Sequence, residues 1–147
     1  MRLLALSLLG CVAFVPALLA DTKIKLADLP PAVQAAVQEQ TKNATLVGIS
    51  KEVEKGKTMY EVETKVNGKT RDLMLDASGK ILSVEEEVDI NSIPAAAKAA
   101  IEKKVAGAKI KRVETVTEGS KVSYEAQYEK NGKTAEVAVN ADGSVHK

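Results

Sequence analysis

Residues 60–76 read YEVETKVNGKTRDLMLD, and residues 124–140 read YEAQYEKNGKTAEVAVN. On each side of the Asn-Gly pair, apolar and polar residues alternate with the period of a half-buried β-strand. Tyr60, Val62, Thr64 and Val66 share one face, and Leu73 and Leu75 continue it. Val122, Tyr124, Ala126 and Tyr128 do the same in the second stretch, continued by Val137 and Val139. Asn67-Gly68 and Asn131-Gly132 are type I′ turn signals, because both central positions need positive φ. Two antiparallel hairpins are expected.

The two stretches lie 64 residues apart, and the match extends outward without a gap. Leu29-Pro30 falls on Ile93-Pro94, Ala35-Ala36-Val37 on Ala99-Ala100-Ile101, and Ala77 and Gly79 on Ala141 and Gly143. Turn residues falling on turn residues indicate a duplicated supersecondary unit. Each unit opens with a helix. Asp28 and Ser92 are good N-caps, and Pro30 and Pro94 suit a first turn. Asn43 and Gly107 accept the left-handed stop conformation. Helices are expected over about residues 29–42 and 93–106, each with an Ala-rich apolar face. The stretches Leu46 to Glu54 and Ile110 to Glu118 are β-rich but imperfectly alternating. A further strand is expected over Lys80 to Val88, and its counterpart in the second unit is expected to be short or missing. The expected class is α+β, two tandem α-β-β-β(-β) repeats with helices packed on one face of antiparallel sheet. Whether the two sheets are continuous stays open at this point. The boundaries are 1–20 for a leader, 21–88 for the first repeat and 89–147 for the second.

Residues 1–20, MRLLALSLLGCVAFVPALLA, have a basic Arg2, an apolar run from Leu3 to Val15, and small residues at Ala17 and Ala20. This is the pattern of a signal peptide cleaved before Asp21, and no integral span is expected after cleavage. The protein is expected to be extracytoplasmic, periplasmic or secreted. Two alternatives stay open: an uncleaved membrane anchor, and a lipoprotein attached through Cys11, since Leu8-Leu9-Gly10-Cys11 loosely matches a lipobox. Removal of the leader takes away the single Cys and single Phe of the 147-residue chain and leaves acidic and basic side chains equal in number. No disulfide can then form, and no bulk charge favours nucleic acid.

These motifs resemble PepSY-like domains, specifically the tandem type grouped with the beta-lactamase-inhibitor-like fold. The resemblance rests on Leu29-Pro30, Tyr60-Glu61, Asn67-Gly68-Lys69 and Asp76-Ala77-Ser78-Gly79, with their partners 64 residues on. It implies an extracytoplasmic, non-catalytic module. Some such modules are thought to inhibit or chaperone an enzyme, and the beta-lactamase inhibitory protein clamps its target with an open sheet face. Two departures are plain: the mature chain has no disulfide, and its aromatic residues are three tyrosines. Beta-lactamase inhibition itself is not transferred.

The outward sheet face is the candidate partner-binding surface, with Met59, Glu61, Glu63, Met74, Glu125, Gln127 and Glu129 as its residues. Lys65, Asp72, Glu85, Glu87, Ser123 and Glu136 are placed on the same face. It leans acidic, which fits a cationic protein surface, and the methionines offer an adaptable apolar centre. The competing reading is an ordinary solvated sheet face. A basic segment, Lys103, Lys104, Lys109, Lys111 and Arg112, carries the alternative reading, an envelope-associated structural protein contacting anionic polymer or lipid. No enzyme is expected: carboxylates on an open sheet should titrate normally, and Ser and Thr have no base beside them except the remote His146. Asn140-Ala141-Asp142-Gly143-Ser144 looks like the start of a calcium loop but lacks the closing Glu, so no metal and no cofactor are expected. An unidentified protein partner is expected, and the oligomeric state is not legible.

Overall fold

Among the described residues, eight strands follow one another across a single sheet in chain order, every neighbouring pair antiparallel. The computed structural model describes residues 22–54 and 56–146; the expected leader, its cleavage site and Cys11 lie outside them. The strands are β1 (Thr22–Lys23), β2 (Thr45–Glu54), β3 (Lys57–Val66), β4 (Lys69–Asp76), β5 (Ile81–Glu87), β6 (Lys109–Glu118), β7 (Lys121–Lys130) and β8 (Lys133–Asn140). Two short helices, α1 (Pro31–Gln40) and α2 (Ala95–Lys104), complete the set, with a 3₁₀ turn at Leu26–Asp28.

This corrects the expected class. The chain is not an α+β pair of tandem units; it is one open, mostly-sheet structure with two helices of 10 residues each. The cause is β5. It pairs with β4 on one side and with β6 on the other, through Val84↔Thr117, Glu85↔Val116, Glu86↔Thr115 and Glu87↔Glu114. One strand therefore belongs to both halves, and the sheet never stops.

The hairpin turns form because the sequence supplies residues that tolerate positive φ. Asn67 and Asn131 lie at φ 52° and 54°, each followed by a positive-φ glycine. Side chains on one face of the sheet meet the helices. Val33 and Val37 of α1 pack on Ile49, Tyr60, Val62, Leu73 and Leu75. Ala97 and Ile101 of α2 pack with Val105, Val113, Ala126 and Val139. The turns after β4 and β8 come so close to the helices that a Cβ at Gly79 would meet the Ala32 carbonyl oxygen at 2.6 Å, and one at Gly143 the Ala96 oxygen at 2.7 Å. Positive φ and lack of room both require glycine there.

Several local expectations change. Asp28 and Ser92 do not cap the helices; Pro30 and Pro94 occupy the N-cap positions without a side-chain hydrogen bond. Asp28 lies in the 3₁₀ turn, and Ser92 Oγ donates to the Asp89 carbonyl at 2.6 Å. Asn43 is not left-handed, whereas Gly107 is. Of the residues expected to share one face, Tyr60 is buried, Tyr124 is only partly so, and Val122 is 44% exposed.

Candidate functional site

β-Strand pairing places every expected partner-binding residue on the sheet face opposite the helices. Met59, Glu61 and Glu63 alternate on β3 with the core residues Tyr60 and Val62; Met74 alternates on β4 with Leu73 and Leu75; Glu125, Gln127 and Glu129 alternate on β7 with Ala126 and Tyr128. Cross-strand register then aligns carboxylates side by side. Glu63 faces Asp72, and Asp72 faces Glu85, across β3, β4 and β5. Glu87 faces Glu114, and Glu114 faces Glu125, across β5, β6 and β7. Like charges directly opposite on neighbouring strands are destabilising.

The sequence reading missed Glu114 and Arg112 as members of this face. The reason is a β-bulge. Lys111 is an extra residue between the pairs Ile110↔Tyr128 and Arg112↔Gln127, and it breaks the period-2 pattern on β6. Val47 breaks β2 in the same way. Past the bulge, Arg112, Glu114 and Val116 alternate with Val113, and that spacing was the available signal.

The face is partly satisfied from within. Arg112 Nε lies 3.0 Å from Glu114 Oε1, and Glu114 is 3% exposed. Thr70 donates its backbone N–H to Glu87 at 3.1 Å, and its hydroxyl lies 3.3 Å from Glu87 and 3.4 Å from Glu114. A hydroxyl has one proton and can serve only one of them at a time. Ser50 Oγ donates to Glu61 at 3.3 Å, the Thr64 N–H to Asp72 at 3.2 Å, and Gln127 Nε2 to Glu136 at 3.2 Å. Glu129 is held by Lys111 at 2.6 Å, so this expected contact residue is already paired.

Crowding changes the acid–base chemistry, and here the expectation of normal titration is corrected. Burial, then the charges of Glu114, Asp72, Glu61 and Glu136, push Glu85 up to about 7. Burial, then Glu136, Glu85 and Glu114, push Glu125 up to about 7. Burial first, with neighbouring carboxylates, also raises Glu61, Asp72 and Glu114. Glu61, Asp72, Met74, Ser83 and Glu85 border a dent of about 10 Å³. That is room for about one water.

The basic segment is divided between the end of α2 and strand β6, which carries Lys109, Lys111 and Arg112. Lys103 and Lys104 are exposed in the last turn of α2, whereas Lys111 and Arg112 are engaged by Glu129 and Glu114 on the sheet. At the suspected calcium loop, Asp142 Oδ1 accepts from Ser144 N and Oγ at 2.9 and 2.6 Å, a turn closed by its own hydrogen bonds. His146 Nδ1 lies 2.8 Å from Asn140 Oδ1. Among the described residues no group of three or more His, Cys, Asp or Glu could hold a metal ion, and no helix is long and apolar enough to cross a membrane.

No family model matches the chain, and no curated protein does. Solved structures do. A protein from Bacteroides eggerthii, provisionally named periplasmic, is 17% identical, with 81% of this chain and 86% of that chain covered and a TM-score of 0.65. A DUF2874 family protein from Bacteroides ovatus is 14% identical, with coverage of 81% and 85% and a TM-score of 0.61. A BLIP-like protein from Bacteroides fragilis is 20% identical, with coverage of 81% and 84% and a TM-score of 0.57. The chain has a BLIP-like fold.

Proposed function

We propose that this protein is a non-catalytic, extracytoplasmic PepSY-like binding module that docks a cationic surface of another protein on its open sheet face. Inhibiting or chaperoning a partner enzyme is the form of docking that the PepSY-like resemblance implies. One observation carries the reading: the two rows Glu63–Asp72–Glu85 and Glu87–Glu114–Glu125 set like charges opposite one another on a half-buried face. A fold gains nothing from such rows, and local choices that oppose stability concentrate where a surface is used. A cationic partner would relieve the repulsion and gain a charge-complementary contact. Met59 and Met74 lie beside the rows, opposite Asp76 and Glu61 respectively, and supply apolar contact area. The extracytoplasmic location rests on the leader-like residues 1–20 and on a fold shared with a protein provisionally named periplasmic.

Capture from an envelope extract of the producing organism by the chain from residue 22 onward tests this. Glu61→Lys with Glu63→Lys and Glu125→Lys should abolish capture of the partner. Lys103→Glu with Lys104→Glu should leave it intact. Capture should also weaken from about pH 8 to about pH 5.5, as Glu85 and Glu125 take up protons. Loss only in the Lys103 and Lys104 variant would overturn the docking face and favour a contact through the helix end.

A further inference from the structure

We propose that the outer edge of β8, over Lys133–Val137, is a strand-addition site. Its occupant is an extended antiparallel segment of a partner protein, apolar opposite Val137 and cationic opposite Glu136. This does not rest on docking at the open face.

The molecule contains its own template for the site. β4 and β8 lie 64 residues apart and occupy the same place beside β3 and β7. The outer edge of β4 is filled by β5, with Arg71↔Glu86, Asp72↔Glu85, Leu73↔Val84, Met74↔Ser83 and Leu75↔Ile81. The turn leading out of β8 begins in the same way. Asp76 N–H donates to the Lys80 carbonyl at 2.9 Å, and Asn140 N–H to the Ser144 carbonyl at 2.8 Å. The bridge Val139↔Val145 then repeats Leu75↔Ile81. Beyond it, the His146 N–H donates to the Ala138 carbonyl at 3.2 Å, and among the described residues no strand covers Lys133–Val137.

Two consequences follow on that edge. Peptide groups alternate sides along a strand, so with Ala138 bonding outward, Thr134 and Glu136 also turn their N–H and C=O groups outward, with no strand to receive them. Apolar surface is left open as well. Leu73, opposite Val84, is 1% exposed. Its counterpart Val137 is only partly buried, and Val145, the counterpart of Ile81, is 49% exposed. Lys133 protects the start of the edge, but Thr134–Val137 carries no Pro and no bulge, the other devices that block pairing. Glu136 is exposed on the open-face side, and a cationic residue opposite it would not repeat the Asp72↔Glu85 conflict. Backbone pairing of this kind supplies affinity, and the alternate side chains supply selectivity.

The probe is a blocked synthetic peptide with the sequence of residues 81–87 carrying Glu85→Lys, added to the chain from residue 22 onward. Amide exchange at Thr134 and Glu136 should slow about tenfold once peptide exceeds its Kd about tenfold. Glu136→Pro should remove the effect, because its N–H points away from β7 and the edge tolerates proline. Should that variant not fold, Glu136→Lys supplies the test: it should reject the Lys-bearing peptide and accept the unmodified sequence of residues 81–87. Unchanged exchange at Thr134 and Glu136 with both peptides would overturn the proposal. So would peptide-dependent shifts confined to Glu61 and Glu125. Protection that grows with protein concentration in the absence of peptide would assign the edge to a second copy of the chain and overturn the partner segment.

Discussion

The two halves of the sheet differ in the size of what they bury. Around α1 the core holds Val33, Val37, Ile49, Tyr60, Val62, Leu73 and Leu75. Around α2 the corresponding places go to Ala97, Ile101, Val113, Tyr124, Ala126, Val137 and Val139, several of them smaller, and two of them, Tyr124 and Val137, only partly buried. Apolar burial scales with the area removed from water, so similar backbones carry unequal stabilising terms. The first half also gains an extra strand over β4, with no counterpart over β8 among the described residues. The second half is therefore expected to be the weaker partner in a single sheet, and its free edge is where the structure should open first.

The largest contrast should come from the tyrosines. Tyr60→Ala removes a 95%-buried ring and should destabilise by about 3–5 kcal/mol, whereas the partly exposed Tyr124 should cost about 1–2 kcal/mol. Equal losses in denaturant unfolding would break the comparison. Next, Leu73→Ala should cost about 3 kcal/mol and Val137→Ala about 1 kcal/mol, because Leu73 is flanked by strands on both sides and Val137 only by β7. Native-state amide exchange sharpens the same point. β8 should exchange through a sub-global opening that leaves β4 protected, and uniform protection would make the halves one cooperative unit.

The smallest expected effect is that of pH. Glu85 and Glu125 hold protons up to about 7 in the folded chain but release them in the ordinary carboxylate range when unfolded. Their folded form thus binds more protons over that interval, and stability should fall as pH rises from about 4.5 to about 7. Asp76, Asp89 and Asp142 act in the opposite sense. Hydrogen bonds from Ser78 lower Asp76, those from Asn91 lower Asp89 and those from Ser144 lower Asp142, so their contribution is lost in acid. A thermal midpoint a few degrees higher near pH 5 than near pH 8 is expected. Glu85→Gln with Glu125→Gln should raise the midpoint at pH 8 and flatten the slope.

Which features were legible follows from their range. Turns and alternation are local, so Asn67-Gly68, Asn131-Gly132 and the open-face side chains of β3, β4 and β7 could be placed from residue order. The pairing of β5 with β6 is not local: Val84↔Thr117 joins residues far apart, and no motif announces it. That one pairing turned two expected units into one sheet. β1 is two residues long and carries no pattern to read. The helix caps misled because Asp28 and Ser92 have the right chemistry two residues ahead of the N-cap positions, Pro30 and Pro94. On the open face, the bulge at Lys111 hid the alternation that would have placed Glu114 beside Glu87 and Glu125. The raised carboxylates depend first on burial and then on that lateral alignment, and residue type alone carries no trace of either.

Side-chain carboxyl titration by NMR, from about pH 3 to about pH 9, tests the carboxylate rows most directly. Glu85 and Glu125 should both titrate near 7, well apart from Asp76 and Asp142, which should lie below the ordinary range. If Glu85 and Glu125 instead titrate with ordinary exposed carboxylates, the rows are solvated and unstrained, and the open face loses the feature that marks it as a docking surface.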